Sequence, residues 1–131
     1  MPVHSIREQR MYARVRFYES VRSNPVLRPD QSWYLLAEDL GEGGLMLLSP
    51  ERFAVDLPLL MDIEPDQVSE PIHCIGRVVW AARADNQEGY RLGIEFLEMS
   101  DAARGRLRQL VADRTEPGNN DFPCREWPFD R

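Results

Sequence analysis

Lysine is absent from this chain: all 16 basic residues among its 131 are arginine. Any anion site is therefore built from planar guanidinium groups, which grip phosphate or a purine edge through two parallel bonds. Cysteine and histidine are scarce, with 2 of each. That is too few for a disulfide framework, and Cys74 and Cys124 with His4 and His73 form no metal-ligand spacing. No apolar run approaches the ~20 residues of a membrane span. Met1-Pro2-Val3-His4-Ser5-Ile6-Arg7 lacks the apolar core of a signal peptide. A cytoplasmic location without membrane insertion is the expectation. There is no G-x-S-x-G elbow, no phosphate loop and no His/Cys cluster, so neither catalysis nor a cofactor is expected. Acids outnumber bases, 22 to 16, for a net charge of −6, which argues against DNA or RNA as a partner.

What remains is the composition of an ordinary globule, 43% apolar and 29% charged, of a size for one domain with one core. The chain is organised around Glu38-Asp39-Leu40-Gly41-Glu42-Gly43-Gly44-Leu45, where two apolar runs meet at a glycine-rich turn with an acid at its mouth. Glycine there supplies positive φ, or lets a backbone or ligand come close. Period-two patterning predicts strands over Arg14–Val21, Ser32–Leu40, Leu45–Ser49, Leu59–Glu64, Ile72–Ala81 and Tyr90–Phe96. The first strand slips in phase before Val21, Asn24-Pro25 is read as a breaker, and Gly76 marks a bulge or bend. After Ser100, an N-cap followed by Asp101, the period lengthens: Ala103, Leu107, Leu110, Val111 and Arg114 form one helical stripe. Six short strands and a helix make an all-β barrel or sandwich with the helix over an opening. Residues 1–13 read as a flexible arm and residues 115–131 as a tail, whose Phe122, Trp127 and Phe129 suit docking on the barrel or on a partner.

His73 and Cys74 are neighbours, but adjacent strand residues point to opposite faces, so they make no nucleophile–base pair. Cys74 reads as a small buried hydrophobe. Asp62 and Glu64 share a strand face as solubilising carboxylates.

Two arginines four apart, Arg10 and Arg14, precede the first strand. They are followed by Asp39-x-Gly41-x-x-Gly44 and, in the last strand, Gly93-x-x-Phe96. In this order the motifs resemble the PilZ domain, the bacterial receptor module for cyclic di-GMP, over about residues 8–113. The resemblance implies a six-stranded antiparallel barrel with a C-terminal helix, and a ligand site of RxxxR (Arg10, Arg14) and DxSxxG (Asp39, Gly41, Gly44). The barrel plus helix is expected over residues 14–114. In that assignment the arginines hold phosphate and guanine, Asp39 accepts from guanine N–H groups, and Arg16 is an auxiliary cation. It further implies signalling by the arm, which closes on the ligand and is presented to a downstream protein partner. Two departures stand out. Gly41 occupies the motif's serine position, a loss of ~0.5–1.5 kcal/mol for one hydroxyl bond. Gln9 stands where family members that take a ligand dimer often carry a further arginine, leaving one molecule or two open. The alternative that Gly41 favours is a degenerate module that binds proteins and no cyclic di-GMP.

Overall fold

The computed structural model describes residues 14–65, 70–85 and 88–115. Arg10 and the expected arm lie outside them, as do the residues after 115 that include Phe122, Trp127 and Phe129. The described strands are β1 (Arg14–Pro25), β2 (Trp33–Gly41), β3 (Gly44–Ser49), β4 (Pro58–Ile63), β5 (Ile72–Arg83) and β6 (Tyr90–Glu98). They close, antiparallel throughout, into a barrel in the order β1-β2-β3-β6-β5-β4. One helix, α1 (Asp101–Arg114), follows. Alternation sends Leu45 and Leu47 of β3 and Leu92 and Ile94 of β6 into a shared core, while Met46, Arg91, Gly93 and Glu95 face outward. No helix among the described residues is long and apolar enough to cross a membrane.

β1 is the strand that closes the barrel. It pairs with β2 from Arg14 opposite Gly41 to Ser23 opposite Trp33, and its second half also pairs with β4, from Val21 opposite Ile63 to Pro25 opposite Leu59. One extra residue between Arg16 and Glu19 breaks the register, with Tyr18 at φ 49°. This bulge is the phase slip read in the sequence. A left-handed conformation costs an ordinary residue ~1–2 kcal/mol; here it buries Phe17 while Arg14 and Arg16 face out.

The sequence reading ends β1 too early. The strand runs through Asn24-Pro25, because a proline at the last position forfeits no central ladder bond. The Asn24 amide then donates to the Pro29 carbonyl (2.9 Å) and to Ser32 Oγ (2.8 Å), fixing the loop beyond. Gly76 does mark an irregularity, between Ile75 and Gly76 of β5. A Cβ there would lie 2.6 Å from the Met61 methyl and 2.7 Å from Ile94 Cγ2, so close packing demands the glycine.

Helix α1 starts as the sequence indicates. The Ser100 hydroxyl accepts from the Ala103 N–H at 3.0 Å, and Thr115 Oγ1 donates to the Val111 carbonyl at 2.7 Å. Ala103, Leu107 and Val111 are buried, and Leu110 is half-buried. Arg114 ends the stripe by stacking 4.9 Å above the Phe17 ring and donating to the Phe17 carbonyl and to Glu19. On β5, His73 faces out and meets Asp62 across the strand pair, Nδ1 to Oδ1 at 2.5 Å, whereas Cys74 packs in the core opposite Met61.

Two outcomes follow. Gly105 is exposed and a Cβ there meets nothing within 4 Å, so Gly105→Ala stabilises the protein by about 1 kcal/mol in urea denaturation. Burial, reinforced by Asp62, pushes the Cys74 thiol up to about 12. Its folded-state pKa therefore lies above the unfolded value, and its contribution to stability is complete below pH ~9 and lost as pH rises from there towards 12. In a Cys124→Ser background, iodoacetamide at pH ~8 leaves folded Cys74 unlabelled and alkylates it in urea.

Candidate functional site

The outer wall of the barrel around the β2–β3 turn carries two parallel rows of residues, fixed by register. Arg16 lies opposite Asp39, Asp39 opposite Met46, Met46 opposite Gly93, and Gly93 opposite Trp80, a line across five strands. Beside it, Arg14 lies opposite Gly41 of β2, and Gly44 of β3 lies opposite Glu95, itself opposite Arg77. Paired residues share a sheet face, and the neighbours Val15, Leu40, Leu45, Ile94 and Val78 are core residues, so both rows face outward. The turn between them is tied to β6 by the Phe96 N–H, which donates to the Gly43 carbonyl at 2.9 Å.

The structure brings four of the sequence-assigned residues together. Arg14 Nη2 donates to Asp39 Oδ1 at 2.7 Å, and the side chains are only 7% and 1% exposed. Gly41 faces Arg14 and Arg16 faces Asp39 across the β1–β2 pair. Gly44 sits further along the wall, against Glu95. The second oxygen of Asp39, Oδ2, is buried and accepts no hydrogen bond from the described residues. A buried acceptor without a partner costs ~1–3 kcal/mol, more when charged, so this carboxylate is arranged to receive something besides Arg14. Of the two roles read for the glycines of the turn, positive φ is not adopted. Among the described glycines, positive φ occurs at Gly89 (109°) alone. Gly41, Gly43 and Gly44 are therefore not selected for left-handed backbone.

Three features escaped the motif reading. Trp80 is 4% exposed although it belongs to the outer wall. Its indole lies over Gly93, where an added Cβ would come within 2.1 Å of Nε1. Arg77 donates to Glu95 at 2.6 Å and stands 3.6 Å from Asp56. Arg91 donates to Glu38 at 2.8 Å, a bond that drives the Arg91 pKa upward. The sequence signal for Trp80 was obscured by an irregularity between Val78 and Trp80, which turns an apparently inward position outward. Since the rigid indole cannot share this space with a side chain at position 93, Gly93→Val should expel Trp80 from this wall. A loss of ~1–3 kcal/mol in thermal or urea unfolding is expected.

The geometry can be set beside known proteins. The sequence matches the family model of the PilZ domain over residues 8–113. No curated protein sequence matches. Among solved structures, the chain is similar to the Bacillus subtilis inhibitor of motility MotI/DgrA, with a TM-score of 0.65 at 17% identity over 79% of this chain and 49% of that one. The PilZ domain of Escherichia coli YcgR, solved with c-di-GMP, gives 0.60 at 15% identity over 79% of this chain and 88% of that one. The MrkH–c-di-GMP complex of K. pneumonia gives 0.62 at 13% identity over 78% and 50%. The chain thus spans about half the length of MotI and of MrkH. With a family match that runs from residue 8 to residue 113 over a closed six-stranded barrel and its following helix, this chain belongs to the PilZ domain family.

Proposed function

We propose that this chain is a non-catalytic receptor for cyclic di-GMP, with Arg14 and Asp39 at the centre of its site. The observation that carries the reading is the buried Arg14–Asp39 pair with an unserved carboxylate oxygen on the wall beside the β2–β3 turn. A guanine offers what that pair needs. Its N–H groups donate to a carboxylate, while O6 and N7 accept from a guanidinium. A guanidinium equally suits the ligand's phosphates, through charge-assisted bonds. Arg16 adds a cation in the same row, and Gly41 and Gly44 leave the wall bare of side chains.

Arg10 joins the site in this reading as the second arginine of RxxxR. Its segment rearranges on binding, and that change is what a downstream protein partner reads. Gly41 tempers affinity without abolishing it, because one neutral hydroxyl bond is worth less than a guanidinium bond to a charged group.

Calorimetric titration with cyclic di-GMP tests this on the wild type, Arg10→Ala and Arg14→Lys. The lysine keeps a cation against Asp39, so the barrel retains its buried pair. Micromolar or tighter binding by the wild type is expected, weakened about tenfold or more in each variant. Absence of heat and of any thermal shift near ~100 µM ligand would overturn the receptor reading and favour a protein-binding module with a degenerate site.

A further inference from the structure

We infer that Arg77 and Glu95 form a second guanine subsite, so that the wall receives both bases of one cyclic dinucleotide; this rests on the reading above. Of the wall's three arginine–carboxylate pairs, two flank the glycines, Arg14–Asp39 at 2.7 Å and Arg77–Glu95 at 2.6 Å. They stand on either side of Gly41 and Gly44, in the row Arg14, Gly41, Gly44, Glu95, Arg77. Their carboxylates belong to β2 and β6, which only β3 separates. That places their strands two spacings apart, ~10 Å, across a floor that bears no side chain at the glycines.

A pair of this composition is complementary to guanine whichever end of the wall it occupies. The arginine addresses O6 and N7, and the carboxylate takes N1–H and the exocyclic amine. A ligand with two guanines related by symmetry calls for two such pairs. Arg77 and Glu95 are 41% and 27% exposed, so a ligand can reach them. Arg77 Nε is buried and donates to no described residue, which mirrors at this end the unserved acceptor on Asp39 at the other. The remaining arginine–carboxylate pair of the wall, Arg91–Glu38, lies on the far side of the Met46–Gly93 row, away from the glycines.

Base discrimination separates a subsite from a merely structural ion pair. Adenine lacks the O6 acceptor and the N1–H donor, so the mixed cyclic dinucleotide of one guanosine and one adenosine satisfies only one pair. Both ligands are titrated calorimetrically against the wild type, Arg77→Ala and the isosteric Glu95→Gln, with thermal melts to confirm folding. The wild type should prefer cyclic di-GMP over the mixed ligand by about tenfold or more. Arg77→Ala and Glu95→Gln should lose most of that preference, through weaker binding of cyclic di-GMP and nearly unchanged binding of the mixed ligand. If the wild type binds cyclic di-GMP but does not discriminate, or if folded Arg77→Ala and Glu95→Gln discriminate as it does, the second subsite is overturned and the receptor reading stands. If the wild type binds neither ligand, the receptor reading itself falls, and the subsite with it.

Discussion

A sheet of six strands closes only if its two edge strands pair, and in this barrel that pairing joins β1 to β4. The second half of β1 pairs with β2 on one edge and β4 on the other. The bulge around Tyr18 reconciles this closure with what the ends of the strand must carry. Before it, Arg14 and Arg16 face outward onto the outer wall. After it, Glu19 comes opposite the core residue Ala37 and meets Arg114 of the helix. The positive φ of a bulky aromatic is unfavourable by itself. It persists because the ladder bonds of β1, the burial of Phe17 and the stacking of Arg114 on that ring all fix the same conformation.

The charges of the wall divide by burial. Pairs that are exposed, such as Arg108–Glu42, contribute little in water, with a typical range of ~0–1 kcal/mol. Arg14–Asp39 is different. Desolvating both ions is costly, and an apolar pair of similar volume often stabilises as well or better. Removing one partner alone leaves a buried uncompensated charge, at ~3–5 kcal/mol. The pair therefore adds little that a hydrophobic contact could not, while demanding that both members be kept. Such an arrangement makes physical sense where the polar groups serve a ligand.

Much of this was legible in the residues. Alternation located all six strands, the phase slip before Val21 located the bulge, and Ser100 located the helix start, because each depends on local chemistry. The match of Arg14 with Asp39 was legible as a motif, yet their direct bond was not. A 25-residue separation is bridged only by the β1–β2 register. The places of Trp80 and Arg77 on the outer wall were hidden for a related reason. A bulge between Val78 and Trp80 resets the face that Trp80 occupies, and only pairing with β6 brings Trp80 beside Gly93 and Arg77 beside Glu95. The extension of β1 through Pro25 was hidden because its support comes from β4, more than thirty positions away in sequence.

The helix meets the site at two places of unequal strength. Arg114 joins β1 through a carbonyl, a carboxylate and an aromatic face at once. The helix reaches the β2–β3 turn, by contrast, through Arg108 and Glu42, both well exposed and 3.4 Å apart. The turn's own anchor is the bond from the Phe96 N–H to Gly43, so the helix contributes little to holding it. The helix thus supports the two sides of the candidate site unequally. The β1 side is set by closure of the barrel and by the helix, whereas the turn side is set by the β1–β2, β2–β3 and β3–β6 ladders and by the Phe96–Gly43 bond.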